Sequence, residues 1–531
     1  MTQHCFSAPK AIQKYNKMAT PSEKLADSLQ ELKLLQDQGI VAIKSKMLSR
    51  THRERLLKNN FIQEVYKGWY LIVPPTFGKG DSTIWFSNYW EFCTQYLEDR
   101  LGKEWSVSPE QSIMLHAGNT TVPSQLIVRS PKANNATTPL PHGTSLFLLR
   151  AYLPDKAERI ENHGIRMYSL PAALICCSPT TYKQNSLDVR TTLSLINESS
   201  EILSLLLKGS HSVVAGRIAG AFRNIGKERI ATNISETMQK AGYDVRINDP
   251  FDKQLNVLLD PRIKSPYESR IKLMWKSMRE TIIDHFPQEP GIPADITSYM
   301  KSVEDIFITD AYHSLSIERY RVTPELIERV KTGNWNIGST DDRQQRDAMA
   351  ARGYWDSFNS VKESIKKILE KSNPGLVTDE DHGEWYRELF GPSVTAGLLR
   401  PADLAGYRNH QVYIGNSMHT PLNKEAVRDA MPILFQLVSE EPSAAVRAVL
   451  GHFVFVYIHP YMDGNGRMGR FLMNAMLASG GYPWTVIPVE QRDEYMQALE
   501  EASAKQNIRP FAVFLSQLVD AGIKGKPKAK I

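Results

Sequence analysis

Apolar positions recur at helical spacing near the start of the chain. Residues 1–20 are polar and without a pattern, so we expect a flexible tail there. A helix is predicted over Pro21–Gln38, and Gly39 follows it as a stop signal. Its apolar face consists of four leucines: Leu25, Leu29, Leu32 and Leu35.

The next segment continues this pattern with two more helices and a hairpin. A short helix is predicted around Ser45–Leu48, and Ser49 can cap a third helix with the sequence SRTHRERLLKNN. The run FIQEVYKGWYLIV alternates like two strands that turn at Lys67-Gly68. Three helices followed by a hairpin predict a winged helix-turn-helix over residues 21–75.

The remaining pattern divides the chain further. Residues 76–245 mix short apolar runs with helical stretches, which predicts an α/β module with a structural or homodimerising role. Residues 246–270 hold prolines and no sustained period, as is typical of a linker. Residues 271–523 are predominantly helical, and residues 524–531 form a basic tail. The predicted fold class is multidomain α+β with an all-α C-terminal domain.

Composition narrows the class of protein. The 531 residues are enough for roughly three to four domains. Hydrophobic residues at 42% and charged residues at 23% exclude collagen-like and wholly disordered chains. The four cysteines show no metal-type spacing, and the sequence shows neither an export signal nor an apolar run of about 20 residues. We therefore expect a cytoplasmic protein with reduced thiols.

The net charge of +6 is concentrated in the predicted winged helix. Between Val41 and Pro75, seven basic side chains stand against two acidic ones, which gives +5 in 35 residues. A helix that enters a DNA groove needs such cations to neutralise phosphates. The other interpretation is a solvated basic helix. The candidate DNA contacts are Arg50, His52, Arg53, Arg55, Lys58 and Lys67.

The segment richest in chemistry is HPYMDGNGRMGR, which spans His459–Arg470. It follows a nearly all-apolar run, AAVRAVLGHFVFVYI, that predicts a buried helix. Gly464 and Gly466 allow successive backbone N–H groups to point inward, and a helix beginning near Arg467 adds its positive end. These features predict a cradle for phosphate.

Side chains beside the cradle complete the chemistry. Arg467 and Arg470 share one helical face at i, i+3, where their guanidinium groups can hold phosphate oxygens. Asp463 is a hard oxygen ligand, and Mg²⁺ typically binds one carboxylate together with substrate phosphates. His459 can take a proton from an incoming hydroxyl. The combination predicts transfer of a phosphate-containing group, whereas His-Pro alone would be a turn and GNG alone a common loop.

This segment resembles the Fic family signature, HPFxDGNGRxxR, with Tyr461 in place of phenylalanine. The resemblance implies a helical domain over about residues 300 to 520 and a protein adenylyltransferase, or AMPylator. In that reaction a Ser, Thr or Tyr hydroxyl attacks the α-phosphate of ATP, AMP is transferred and pyrophosphate leaves. By position, His459 would be the base and Asp463 the magnesium ligand.

The resemblance also assigns the phosphate contacts. Asn465 and the amides of Gly464 and Gly466 would hold the transferred phosphate. Arg467 would contact the phosphates, and Arg470 the γ-phosphate. The related Doc kinases carry lysine in place of Gly466, so this glycine favours adenylylation over phosphorylation.

Two flanking segments fit the same family. GYRNHQVYIGNSMHTP alternates like a short hairpin, and the resemblance implies a β-hairpin flap there that aligns a protein target by main-chain pairing. The flap residues would be Val412, Tyr413, Ile414 and Gly415. In RDEYMQALE, Tyr495 stands where the family often has a tyrosine against the adenine, and helix packing is the equally weighted alternative.

A further segment, YHSLSIERY, places Ser314 four residues before Glu318. It resembles the Fic inhibitory motif [ST]xxxE[GN], in which the glutamate pairs with the second signature arginine and blocks the γ-phosphate position. That arginine would be Arg470. Arg319 stands where the family usually has glycine or asparagine. The alternative is an exposed glutamate on an amphipathic helix.

The first 245 residues resemble AbiEi-type antitoxin regulators in the motifs LSRTHRERLLKNNFIQEVYKGWY, LPHGTSLF and MYSLPAALI. This implies a DNA-binding module of toxin-antitoxin type. Two functions follow. One is a magnesium-dependent adenylyltransferase that takes ATP and a protein substrate, itself included, and is restrained by Glu318. The other is a transcriptional regulator whose Fic domain senses nucleotide, but the intact His459 favours the enzyme because a sensor needs no base.

Overall fold

The structure is a computed structural model that describes residues 20–73, 82–252, 265–333 and 342–531. The predicted tail over residues 1–19 lies outside these ranges. Helix α1 begins after the N-cap Thr20, and the Ser49 hydroxyl caps α2 by accepting from the His52 N–H at 3.2 Å. The N-terminal module consists of α1 (Pro21–Asp37), β1 (Ala42–Lys44), a 3₁₀ turn (Ser45–Met47), α2 (Arg50–Lys58), β2 (Ile62–Tyr66) and β3 (Trp69–Ile72).

These elements form in the predicted order, and β1 is an addition that the sequence pattern did not predict. Strand β3 lies between β1 and β2 in an antiparallel three-stranded sheet. The sheet buries hydrophobic side chains on both faces: Tyr70 and Ile43 pack against α1 and α2, whereas Trp69 and Leu71 join the next core. The N-terminal module is therefore built into its neighbour through shared apolar contacts.

The central region contains two cores, whereas the sequence predicted one α/β module over residues 76–245. The first core surrounds a mixed sheet in the order β4-β5-β7-β6, in which β5 and β7 are parallel, and a separate hairpin of β8 and β9 lies beside it. Its elements are α3 (Thr83–Ser87), α4 (Tyr89–Leu101), β4 (Ser106–Val107), α5 (Pro109–His116), β5 (Gln125–Ser130), β6 (Ala136–Pro139), β7 (Ser145–Arg150), β8 (Arg159–Asn162) and β9 (Ile165–Tyr168), with a 3₁₀ turn at Lys156–Glu158.

The second central core is mostly helical, and Tyr168 of β9 joins it. Its amphipathic helices bury Ile202, Leu206 and Phe222 against one another. The helices are α6 (Leu170–Cys176), α7 (Thr181–Gln184), α8 (Ser186–Leu195), α9 (Ser200–Lys208), α10 (Ser212–Asn224) and α11 (Glu228–Lys240).

The C-terminal region is all α, as predicted, and has one large core. Residues 253–264 of the predicted linker over 246–270 lie outside the described ranges, and Pro266 begins α12. The helices are α12 (Pro266–Ile283), α13 (Ile296–Asp305), α14 (Phe307–Ile317), α15 (Pro324–Lys331), α16 (Asp342–Leu369), α17 (Pro374–Thr395), α18 (Lys424–Glu440), α19 (Ala444–Ile458), α20 (Asn465–Ala478), α21 (Arg492–Lys505) and α22 (Arg509–Ile523), with 3₁₀ turns at Pro401–Leu404 and Val489–Gln491.

The predicted β-hairpin flap does not form strands. Residues 405–423, all of them described, contain turns and extended backbone without ladder pairing. The segment turns at Asn416, whose φ is +58°, and its polar groups bond elsewhere: the Gln411 side chain donates to the Pro421 carbonyl at 2.8 Å. Side-chain hydrogen bonds have replaced the cross-strand ones. Within the described ranges, no helix combines the length and apolar character that a membrane crossing requires.

Candidate active site

The buried helix α19 delivers His459 to the site. The helix ends at Ile458, and His459 adopts a left-handed conformation with φ +56° and ψ +62°. Its Nδ1 lies 3.1 Å from the Val456 carbonyl oxygen. A carbonyl can only accept, so Nδ1 carries the proton and Nε2 keeps a free lone pair. Burial lowers the pKa of His459 to about 4, so the imidazole is neutral at pH 7.

Two residues fix the loop that follows. Tyr461 is buried and stacks on Tyr386 with ring centroids 3.8 Å apart, and this contact anchors the loop in the core. The Asn465 side chain accepts from the Tyr461 N–H at 2.9 Å and donates to the Tyr461 carbonyl at 2.9 Å. Both ends of that amide are occupied. Asn465 thus closes the loop, and only its backbone N–H is left for the predicted phosphate contact.

The predicted cradle lies at the start of α20. Gly464 has φ +79°, and a Cβ there would come within 2.7 Å of the Phe390 ring, so only glycine fits. The first N–H groups of any α-helix lack acceptors within the helix, and they attract anions. The Asp463 carboxylate accepts from the Gly464 N–H at 2.6 Å, and its side chain is 65% exposed beside the cradle.

Arg467 points a buried cation at this region. Its side chain is 1% exposed, and neither Nε nor Nη2 has a hydrogen-bond partner among the described residues. Its Nη2 is 3.6 Å from Asp463 Oδ1, which is too long for a hydrogen bond. The rings of Tyr320 and Phe390 flank the guanidinium at 5.2 and 5.0 Å. A buried guanidinium with free donors is a site for an anion.

Arg470, one turn further along α20, is already engaged. Its Nε donates to Ser314 Oγ at 2.8 Å, and its Nη2 donates to the Ser314 carbonyl at 3.0 Å and to Glu318 Oε1 at 2.8 Å. Burial alone would lower the pKa of Arg470, but the Glu318 carboxylate raises it. A Cβ on Gly466 would lie 2.4 Å from Glu318 Oε1, so this carboxylate rests against the first turn of α20.

The backbone conformation of Arg319 explains why the inhibitory motif usually has glycine or asparagine at this position. Its φ is +67°, in the left-handed region where glycine and asparagine are favoured. The chain closes α14 there, because the Arg319 N–H donates to the Ser316 carbonyl at 2.9 Å and the Tyr320 N–H donates to the Leu315 carbonyl at 3.1 Å. Arginine therefore accepts the same turn at a cost in strain, and Glu318 still reaches Arg470.

The structure buries Tyr495, the residue suggested for an adenine contact. Its side chain is 1% exposed, and its hydroxyl lies 2.8 Å from Nε2 of the buried His452. The ring packs near Phe511 and Phe514. Tyr495 is a core residue, which was the alternative interpretation. The helical spacing that places it on α21 could not separate these two roles.

The flap segment lies against the first central core. Asn416 Oδ1 accepts from the N–H and hydroxyl of Ser82 at 3.3 and 3.1 Å, and its N–H donates to Thr83 Oγ1 at 3.2 Å. The Val122 N–H donates to the Met418 carbonyl at 3.0 Å. Val412 and Tyr413 line a cavity of about 660 Å³ beside these contacts.

Half of the candidate DNA contacts are used inside the N-terminal module. His52 Nδ1 bonds the Ser28 hydroxyl at 2.9 Å, Arg53 donates to the Ser45 carbonyl at 2.8 Å, and Arg55 donates to the Lys24 carbonyl at 2.6 Å. These three side chains hold α2 in place, and their contacts with DNA stay a prediction. The exposed candidates are Arg50, which pairs with Glu54 at 2.7 Å, and Lys58 and Lys67.

Sequence reasoning missed three residues at the site. Phe390 and Tyr320 flank Arg467 from distant elements, and no local motif marks them. Arg408, 1% exposed, donates through Nε to the His459 carbonyl at 2.7 Å. Its position in GYRNH, directly before the flap, gave no separate signal. No cluster of three or more His, Cys, Asp or Glu side chains that could hold a metal occurs in the described part of the chain.

A histidine with a lowered pKa, a helix N-terminus and buried arginines lie together in a helical region, and this arrangement could hold an anion. Residues 377–477 match the Fic/DOC family, so the C-terminal half of the chain contains a Fic domain. A "Protein adenylyltransferase Fic" of Nematostella vectensis is 25% identical over 258 residues, 48% of this chain and 56% of that protein. One of Drosophila virilis is 34% identical over 224 residues, 41% of this chain and 42% of that protein.

The chain spans about half the length of the curated relatives it matches. Among solved structures, a segment of Fic-1 from C. elegans aligns at 16% identity with a TM-score of 0.36, covering 64% of this chain and 87% of that one.

Proposed function

We propose that this protein is an adenylyltransferase that moves AMP from ATP to a Ser, Thr or Tyr hydroxyl of a protein, itself included. The observation that carries the proposal is Arg467, which lies beside a helix N-terminus. Its side chain is 1% exposed, and its Nε and Nη2 have no hydrogen-bond partner among the described residues. A phosphate group can accept hydrogen bonds from the guanidinium and from the N–H groups of the helix N-terminus at the same time. The matched relatives, named protein adenylyltransferases, indicate ATP as the donor.

The chemistry follows from the tautomer of His459. With Nδ1–H held by the Val456 carbonyl, Nε2 accepts the proton of the target hydroxyl. The hydroxyl oxygen forms a bond to the α-phosphorus, and the bond from that phosphorus to the bridging oxygen breaks. Pyrophosphate leaves with the bond electrons. The backbone amides of Asn465 and Gly466 and the buried Arg467 stabilise the charge that develops on the phosphate oxygens.

The site also fits a magnesium ion. Asp463 is mostly exposed beside the cradle, and its carboxylate has only the Gly464 N–H within hydrogen-bond distance in the described structure. One carboxylate together with substrate phosphates is the usual protein environment of Mg²⁺. When bound, the ion would neutralise phosphate charge and help the leaving group depart.

Glu318 would restrain this reaction. Its carboxylate takes the Nη2 donor of Arg470 and rests against Gly466 at the mouth of the cradle. A γ-phosphate seeking the same donor must displace it, and the two negative groups repel each other. ATP would therefore bind with its phosphates out of line until Glu318 moves.

The flap contacts offer a route from the N-terminal half to the site. Met418, two residues after Asn416, packs against the core that also contains Trp69 and Leu71 of the N-terminal sheet. The same segment bonds Ser82 and the Val122 N–H. Because the flap segment is bonded to this core, we propose that target docking is coupled to the state of the N-terminal module.

The test is transfer of label from α-labelled ATP and Mg²⁺ to protein. We expect label on the wild type or on Glu318→Gly, and none on Glu318→Gly with His459→Ala. His410→Ala in the same background is the matched control, because His410 is exposed and close in the chain. Label that persists without His459 would refute the assigned base. Absence of label from every variant that still binds ATP would refute AMP transfer.

A second function, DNA binding, is supported by the exposed cations Lys46, Lys58 and Lys67 on the N-terminal module. We propose that this module is a winged helix that binds the DNA upstream of its own coding sequence. The test is a band shift over a range of salt concentrations. Lys58→Glu with Lys67→Glu should abolish the shift, whereas Lys33→Glu, also exposed, should preserve it. A shift unaffected by both the double variant and salt would contradict the proposal.

A further inference from the structure

Arg408 is a buried cation without an anion. It is 1% exposed, and no described carboxylate pairs with it. Its guanidinium donates instead to backbone carbonyl oxygens: Nε to His459 at 2.7 Å, Nη1 to His410 at 3.0 Å, and Nη2 to Ile458 at 3.5 Å and to Leu422. Its own N–H donates to the Pro460 carbonyl at 2.9 Å.

Burying the Arg408 cation in this way costs folding free energy. Removing a cation from water without a counter-charge is unfavourable, and the carbonyl dipoles offset only part of that cost. The carbonyls of Ile458 and His459 belong to the C-terminal end of α19, where the helix dipole favours a positive charge. Arg408 is therefore the C-terminal cap of the helix that carries the proposed base.

The cap holds a strained residue from both sides. His459 has φ +56°, a conformation that side chains with a Cβ disfavour. Arg408 bonds the carbonyls of the residues before, at and after it: Ile458, His459 and Pro460. With these three carbonyls fixed, the peptide planes around His459 cannot relax to the right-handed region.

We propose that Arg408 is the positioning residue for His459: by gripping these three carbonyls it keeps the imidazole where Nε2 can reach the target hydroxyl. The inference rests on the proposed transfer reaction. Four titratable or charged groups face His459: the cation of Arg408, the imidazole of His419 and the carboxylates of Glu318 and Asp463. Arg408 acts with burial in lowering the pKa of His459, which keeps the base neutral.

The same residue joins the base to the flap. Its Nη1 and Nη2 hold the carbonyls of His410 and Leu422, which lie on either side of the flap segment. A lysine keeps the charge but presents one ammonium, which cannot reach carbonyls in four directions. Arg408→Lys should therefore lose most of the hydrogen bonds to these carbonyls while keeping the positive charge. Arg408→Gln should lose both the hydrogen bonds and the charge.

The experiment measures kcat and the KM for ATP in the Glu318→Gly background. We expect Arg408→Gln to lower kcat by about 100-fold, the cost of a misplaced group, with KM changed less than about twofold. Arg408→Lys should fall between this variant and the parent. Arg400→Gln is the control, because Arg400 is 82% exposed and pairs only with nearby Asp403 at 2.9 Å. An unchanged kcat for Arg408→Gln would overturn the inference.

A second measurement does not depend on activity. Nitrogen-15 NMR of the His459 ring, assigned with His459→Gln, reports its tautomer and titration. The parent should show one Nδ1–H tautomer, and Arg408→Gln should show mixed tautomers and a higher pKa. Identical spectra for the parent and Arg408→Gln would overturn the inference, whether or not the parent transfers AMP. A parent that transfers no AMP would refute only the proposed function. If Arg408→Gln does not fold, Arg408→Lys decides both measurements.

Discussion

Glu318 Oε1 lies 2.8 Å from Arg470 Nη2 and joins the end of α14 to the first turns of α20. Ser314 strengthens the junction by accepting from Arg470 Nε and, through its carbonyl, from Nη2. The pair is one-sided in burial, because the arginine side chain is 5% exposed and the glutamate side chain 31%. A carboxylate at the edge of a site can leave while the guanidinium stays in place. This asymmetry suits a removable restraint.

Replacing Glu318 with glycine should raise AMP transfer. The variant loses a charge-assisted hydrogen bond worth about 1.5–3 kcal/mol, and that energy no longer opposes the γ-phosphate. We expect initial rates of self-labelling to rise at least about tenfold. Glu325→Gly, an exposed glutamate at the start of the next helix, is the control and should leave the rate unchanged. Equal rates for wild type and Glu318→Gly would exclude restraint by this residue.

Arg319→Gly should stabilise the protein. The left-handed backbone at φ +67° costs a residue with a Cβ about 1–2 kcal/mol, whereas glycine adopts it freely. Part of that gain is offset by the greater entropy of glycine in the unfolded chain, so we expect about 1 kcal/mol in urea unfolding. Arg321→Gly, exposed but without positive φ, should not stabilise. Destabilisation by Arg319→Gly would show that its side chain contributes more than its strain costs.

The sequence was sufficient to predict the part of the candidate site whose residues are neighbours in the chain. His459, Gly464, Arg467 and Arg470 fall within one loop and one helical turn, so the motif alone indicated that these four residues lie together. The helical character of the C-terminal half was equally legible, because its periodicity extends over long segments. Local spacing carries such information reliably.

The sequence was not sufficient to predict contacts between residues on elements that lie far apart in the chain. Tyr495 and Arg408 are both buried, but only the three-dimensional arrangement shows that one contacts His452 and the other the His459 carbonyl. The flap failed for a related reason, since alternation predicts a strand only if a second strand is present to pair with it. Asn416 instead bonds Ser82, more than 300 positions away in the chain. Contacts between residues so far apart produce no periodic pattern of hydrophobic and polar residues in the sequence.

Asn465→Ala should collapse the loop rather than weaken phosphate binding alone. The side chain satisfies both the N–H and the carbonyl of Tyr461 in a buried setting, and their loss leaves two unpaired polar groups. We expect a loss of about 2–4 kcal/mol in unfolding free energy, together with loss of transfer. Asn465→Asp keeps the acceptor and should cost less. If Asn465→Ala lost activity at unchanged stability, the side chain would act on phosphate directly.

Asp188→Ala should separate the central region from the Fic domain. Asp188 on α8 and Arg270 on α12 form a buried salt bridge, and Tyr457 on α19 accepts from Arg270 Nε at 2.9 Å. Removing one partner leaves a buried charge, which costs about 3–5 kcal/mol. We expect a single thermal transition in calorimetry to split in two. Asp155→Ala, which breaks an exposed pair with Lys208, should leave one transition, and no splitting in Asp188→Ala would contradict the role.

The stability of the Fic domain should fall steeply in mild acid because of three histidines. Burial lowers the pKa values of His419, His452 and His459 to about 4 each. In the unfolded chain these groups titrate near about 6.5, so below that pH the unfolded state binds more protons than the folded one. Their contribution is complete above pH ~6.5 and is lost as the pH falls toward 4.

Each histidine adds a slope of at most about 1.4 kcal/mol per pH unit within that window. The measurement is the urea midpoint between pH 7 and 4.5. His452→Gln should make the dependence shallower by one proton, because the 0% exposed imidazole that packs beside Tyr495 is gone. His410→Gln removes an exposed ring and should leave the slope unchanged. A midpoint that stays constant from pH 6.5 to 4.5 would show that these imidazoles accept protons in the folded state, and the neutral base assigned to His459 would then need another origin.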